Sequence, residues 1–233
     1  MISNRIEIKE KAKQNMKGKY GVVIPILLIF MVVQGAVGTV RDQFTTKYSL
    51  DLETMTFIMT REGNPVLNLL FSLLAALVGA IILYASARVY IQLARNEKPV
   101  IEEALAIGFK TNPVKLFVTS FLMGLYIMLW TLLLIIPGIV KAYAYSMTYY
   151  LLHLRPEVNA ADTITLSKEY TRGHKMDLFI LDLSYLLHYI LGIFTFGIYW
   201  LWVIPKHSTA RTLYYEEIYL KHNPVVNEVQ EEY

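Results

Sequence analysis

The chain has 233 residues, 55% of them hydrophobic, with a mean hydropathy of +0.40 and a formal net charge of +3. That is more apolar than a soluble domain of this size and indicates a membrane protein. No cysteine is present, which excludes disulfides, thiolate metal sites and a cysteine nucleophile; the small net charge is informative only through its placement.

In chain order, the charged stretch Ile6 to Lys19 predicts an amphipathic helix, followed by a first span from Gly21 to Val40, twenty residues without a charge. At about 1.5 Å per residue such a run crosses a hydrocarbon core of about 30 Å. The mixed-charge start and the lack of a small-residue cleavage site read as an uncleaved anchor. Arg41 to Pro65 predicts an outer segment, either a short helix or a loop. Val66 to Ala87 is a second span. Glu102 to Lys110 predicts another amphipathic helix, with Ile101, Leu105 and Phe109 in an i, i+4 row. Leu116 to Ile136 is a third span, reversed at Pro137-Gly138, and Ile139 to Leu152 returns as a short, tilted or partly re-entrant fourth. Asn159 to Arg172 predicts a third amphipathic helix. The last apolar run divides at Thr195-Phe196-Gly197 into Met176 to Phe194 and Ile198 to Tyr219. The fold class is therefore all-α and polytopic: about six transmembrane segments in three hairpins, each preceded by an amphipathic cytoplasmic helix.

Basic residues collect before the first span, between the second and third, and after the fourth, so the positive-inside rule places both termini in the cytoplasm. Trp130, Trp200 and Trp202 then fall near the outer face, and Tyr149, Tyr150, Tyr214, Tyr215 and Tyr219 near the inner one. The chain divides into repeat units 1–94, 95–153 and 154–222 with a polar tail, 223–233. Ala12-Lys13-Gln14-Asn15-Met16-Lys17-Gly18 aligns with Ser167-Lys168-Glu169-Tyr170-Thr171-Arg172-Gly173, a match that duplication or shared helix-start grammar would each produce.

The text LWTLLLIIPGIVKAYAYSMTYYLL from Leu129, then SKEYTRGHKMDLFILDLSYLL, FTFGIYWLWVIPKHSTARTLYYEEI and the opening EIKEKAKQNMKGKYGVVI resemble the bacterial integral-membrane family known as domain of unknown function 975. The chain departs from the family pattern at Ser184-Tyr185-Leu186-Leu187-His188 and at Pro205-Lys206. The resemblance implies a multi-span plasma-membrane protein of Gram-positive bacteria and brings no activity with it.

Ionisable side chains inside a bilayer cost roughly 2.5–3.5 kcal/mol each on insertion scales and so mark functional candidates. Here they are Arg88, Lys141, Asp182, His188, Lys206 and Arg211. Folding the last hairpin about Thr195 to Ile198 sets Asp182 opposite Arg211 and His188 opposite Lys206. Two readings are open: a polar track for a proton or cation, or a salt bridge locking two helices. Lys13, Lys17, Lys168 and Arg172 are candidate contacts for lipid headgroups. Ser72, Ala76 and Ala80 repeat at four-residue spacing and predict close helix packing.

Phosphate-binding, dinucleotide, zincin and serine-hydrolase motifs are missing, and the five histidines show no i, i+3 or i, i+4 pairing. Asp182 and His188 are the only intramembrane acid and base, about 120° apart on one helix and so on different faces. The expectation is no enzyme, no cofactor, no metal and no nucleic acid. The sequence supports transport or binding of a small amphipathic solute or lipid; the alternative is a non-catalytic scaffold that binds anionic lipid or a protein partner through its cytoplasmic helices.

Overall fold

The computed structural model describes residues 4–51 and 55–223, with all their side chains except those of residues 48, 50, 51, 57–61, 101, 105, 108 and 109. The polar tail past residue 223 and the apolar row Ile101, Leu105 and Phe109 lie outside the described residues and side chains. The chain is helical, and four segments are long and apolar enough to cross a membrane: Tyr20–Asp42, Pro65–Ala94, Pro113–Leu133 and Lys175–Phe194.

α1 (Arg5–Met16) ends at Lys17, and Gly18, at φ +77°, turns the chain into α2 (Tyr20–Asp42). Ile8, Ala12 and Met16, spaced by four, are buried together with Asn15. That stripe seats α1 against the ends of other helices: the Asn15 side-chain amide donates to the carbonyls of Leu93 (3.0 Å) and Ala94 (2.8 Å), and Lys19 donates to Asn96. Orphan carbonyls at a helix end are thereby satisfied. The apolar face of α1 is covered by protein, while Lys13 and Lys17, the headgroup candidates, are exposed.

α3 (Pro65–Ala94) has 30 residues and returns antiparallel to α2. Asn64 caps it, accepting from the amides of Val66 and Leu67, with Pro65 at the first helical position. The eight buried residues of α3 all lie between Ala80 and Ala94, and the four of α2 between Val23 and Phe30. The end of this hairpin carrying Tyr20 and Ala94 is thus its packed, proximal end; Asp42 and Pro65 mark the distal one. At the distal end the segment expected as helix or loop is a two-stranded antiparallel hairpin, β1 (Lys47–Asp51) and β2 (Thr56–Arg61). Its register sets Tyr48 opposite Met59 and Leu50 opposite Phe57, an alternation suited to a strand.

α4 (Ile101–Lys110) folds back on α3, where Arg88 donates to Glu103 at 2.6 Å and Gln92 to the same carboxylate at 3.0 Å. Arg88, one of the ionisable candidates, is therefore paired, and its guanidinium holds the Glu103 carboxyl below the usual carboxylate range. α5 (Pro113–Leu133) starts on a second Asn-Pro cap and meets α6 (Ile135–Tyr145) in a tight hairpin. The reversal lies at Leu134, whose backbone is extended, not at Pro137-Gly138. Pro137 is in the first turn of α6, where its missing N–H costs no helical bond. A Cβ on Gly138 would lie 2.8 Å from Cα of Thr131, so glycine sets how closely the two helices approach. α7 (Thr148–Leu154) follows after a break at Ser146-Met147, and the expected fourth span is thus two short helices.

α8 (Ala160–Tyr170) carries buried Thr163, Ile164 and Ser167, and its exit, Gly173, has φ +85°. Gly18 and Gly173, matched in the sequence motif, thus make the same left-handed exit from an amphipathic helix. α9 (Lys175–Leu183) and α10 (Leu186–Phe194) continue the path with a turn between them. Phe196 and Gly197 reverse the chain at positive φ, where the sequence places the turn, and α11 (Trp200–His222) returns. A side chain on Gly192 would collide with Trp200, whose indole N–H donates to the Tyr189 carbonyl at 2.9 Å and closes this hairpin.

The three hairpins are not equivalent. Ile204 packs on the cluster of Val23, Ile26, Ala85 and Val89, and Arg95 pairs with Glu216. From Ile204 to Gly197 the chain rises about 10 Å, whereas from Ala85 to Pro65 it rises about 30 Å. The apex of the last hairpin therefore stops well short of the distal end of α3. Its Trp200 and Trp202 belong to the proximal half, next to Tyr20, and not to a distal aromatic belt. The three hairpins differ in length: one is long, α2–α3, and shorter pairs stand around it. The largest core cluster joins α11 to α1, α3 and α7 to α9 through Ile8, Ile91, Leu151, Leu178, Leu181 and Leu213.

Candidate functional site

Asp182, near the end of α9, is the centre of a closed polar network. Its Oδ1 accepts from His207 Nε2 at 2.7 Å, its Oδ2 from the Tyr143 hydroxyl at 2.8 Å, and Nη1 of Arg211 stands 3.6 Å from Oδ2. The remaining nitrogen of His207 meets the Tyr189 hydroxyl at 2.8 Å, and Arg211 donates to the Tyr215 hydroxyl at 3.1 Å. Four helices, α6, α9, α10 and α11, meet in one set of hydrogen bonds. Both carboxylate oxygens are occupied and the charge is balanced, which is what a fixed helix junction requires. A cation site would instead offer open coordination.

His188 and Lys206 also come together, as hairpin arithmetic expects, but in a different setting. With Tyr20, Tyr185, Tyr199, Trp202 and Val203 they line a cavity of about 150 Å³ between α2, α10 and α11. Asp182 and His188 sit on separate helices, α9 and α10, so they form no acid–base pair on one helix.

A third feature lies on the other side of Tyr143. Ile136, Ile139, Val140, Tyr143, Met176 and Phe179 form an open apolar groove of about 380 Å³ between α6 and α9, with Lys175 at one end. Lys141, Lys168 and Arg172 are close enough to act electrostatically on Lys175. Lys168 and Arg172, expected at lipid headgroups, are exposed on the outer side of α8, while Lys13 and Lys17 lie on α1, away from the groove. Lys141 is also held over the Trp130 ring at 4.3 Å.

Several residues of these sites carry no mark in a hydropathy reading. His207 and Arg211 are spaced i, i+4 on α11, a signal that was available. Tyr143 reaches Asp182 from a helix 39 residues earlier, and no local pattern announces it.

A family model described as a protein of unknown function, DUF975, matches residues 1–143 and 132–222. No curated protein and no solved structure gives a match.

Proposed function

The chain belongs to the DUF975 family of proteins of unknown function, and we propose from its geometry that it is an integral membrane protein that binds an anionic amphiphile, a lipid of the surrounding leaflet, in the α6–α9 groove. The observation that carries this reading is the combination of an apolar trough with one lining cation, Lys175, and three more, Lys141, Lys168 and Arg172, near enough to act on it electrostatically. An acyl chain fits the trough, whose Ile136 and Met176 are 75% and 65% exposed, and a phosphate or carboxylate head fits the cations. Placing the basic end at the cytoplasmic surface, as the distribution of lysine and arginine favours, sets it against the anionic leaflet. The protein acts here by holding its ligand, not by transforming it. The closed state of the Asp182 network supports binding over ion-coupled transport, because its carboxylate is engaged on both oxygens.

Titration of purified protein in neutral nanodiscs with phosphatidylglycerol tests this. Each cation near a membrane surface contributes about 1 kcal/mol, so Arg172→Gln with Lys175→Gln weakens binding about thirtyfold. Equal affinity for phosphatidylglycerol and phosphatidylcholine, in parent and variant alike, contradicts the proposal.

A further inference from the structure

The cavity lined by His188 and Lys206 is separate from the groove and has features that packing alone does not explain. Tyr185 is fully buried, yet its hydroxyl has no hydrogen-bond partner among the described residues; neither does the buried Nδ1 of His188. Both residues line the cavity. Leaving a buried polar group unpaired costs about 1–3 kcal/mol, and both such groups belong to residues that line one space. The cavity's 150 Å³ is roughly ten times what one water needs, and its walls are largely aromatic.

Its charge is one-sided. Lys206 lines the cavity, and the groups acting on it electrostatically are two more lysines of α1, Lys9 and Lys13. Lys9 sits 4.9 Å from the centre of the Tyr185 ring and reaches the Ser184 carbonyl only at 3.5 Å. The nearby carboxylate, Asp182, is engaged by His207, whose ring lies 4.6 Å from that of Tyr185 and is tilted 31° to it. Lysine, histidine and phenol side chains of α10 and α11 and the turn before α10 therefore line a space that has no carboxylate in its wall, with Lys9 and Lys13 of α1 beside Lys206. That donor set suits an oxyanion, and three neighbouring lysines favour one that carries more than a single charge.

We propose that this cavity binds a phosphate group, free or as the headgroup of a lipid, with Lys206, His188 and Tyr185 as donors and Lys9 as outer counter-charge. By tying α1 to α10 and α11, the bound phosphate fixes the N-terminal helix onto the last hairpin.

The test uses the full chain purified in phosphate-free neutral detergent, with inorganic phosphate titrated calorimetrically. Wild type binds, Lys206→Gln loses at least tenfold in affinity, Lys206→Arg retains most of it, and Tyr185→Phe loses several-fold. Arg172→Gln with Lys175→Gln leaves phosphate binding unchanged, so failure of the groove reading and failure of this one are told apart. Tyr185→Phe removes one oxygen and decides the matter should Lys206→Gln not fold. A lipid source gives a different pattern: inorganic phosphate has no effect, but phosphatidylglycerol nanodiscs raise the melting temperature of the Arg172→Gln, Lys175→Gln protein and no longer do so once Lys206→Gln is added. The proposal is overturned if neither probe binds, or if phosphate binds the Lys206→Gln and Tyr185→Phe proteins as it binds wild type.

Discussion

The two halves of α3 have nearly the same hydrophobic text and opposite surroundings. From Ala80 to Ala94 its side chains are covered by α1, α2, α4, α7 and α11, and eight of them are buried. From Pro65 to Gly79 none is buried, and Val66, Leu69 and Leu70 are 64%, 59% and 56% exposed. Apolar residues in the proximal half are buried by protein, whereas those in the distal half are left exposed by it. The Asn15 and Glu103 side chains make their polar contacts with the proximal half, while at the distal end Thr45 meets Asn68 at 3.3 Å. The chain is therefore a packed helical base from which one long hairpin projects.

If that contrast is real, equal truncations have unequal effects. Leu213→Ala or Leu178→Ala in the base opens a cavity and lowers unfolding free energy by about 2–5 kcal/mol. Leu70→Ala in the distal half changes detergent stability by less than about 0.5 kcal/mol. Thermal melts of the three proteins check this, and similar losses at all three sites would erase the distinction.

The Asp182 junction gives the next effect. Asp182→Asn and Arg211→Gln each cost about 1–3 kcal/mol, because each leaves a largely buried charge without its counter-charge, and the double variant costs less than their sum. Additive losses in a double-mutant cycle would show that the two charges stand independently. Gly138→Ala drives a methyl group into Thr131 and costs about 1–3 kcal/mol, read as a lower melting temperature.

The smallest effect is at Glu103. Its carboxyl lies below the ordinary range in the folded protein, so the stability it adds is present above the unfolded carboxylate value and is lost as pH falls through the depressed folded one. The pair is partly exposed, so Glu103→Gln removes less than about 1 kcal/mol near neutral pH and flattens the acid limb of the stability curve. An unaltered acid limb would show that the pair contributes nothing.

The sequence made the amphipathic helices, the long spans and the turn at Thr195 to Gly197 legible, because each rests on a local signal: periodicity, an apolar run, or glycine after an aromatic residue. The Asp182–Arg211 pairing followed from counting outward from that turn. Hydropathy could not tell how deep the last hairpin goes, since it scores apolar residues alike whether protein or lipid covers them; Val203, Ala210 and Leu213 are buried by helices. The β1–β2 hairpin was obscured by its charges, although Tyr48, Leu50, Phe57 and Met59 alternate along it. His207 and Tyr143 were missed because Asp182 selects its partners through tertiary packing.

The central claim, that the α6–α9 groove holds an anionic lipid, is tested most directly by photo-crosslinking. A photoreactive residue is placed at position 140 in the groove and, for comparison, at position 70 on the distal half of α3, with both proteins in nanodiscs of mixed phosphatidylglycerol and phosphatidylcholine. The account predicts that position 140 captures phosphatidylglycerol in preference, that Arg172→Gln with Lys175→Gln abolishes the preference, and that position 70 labels the lipids in proportion to their abundance. Proportional labelling at position 140 as well would contradict it.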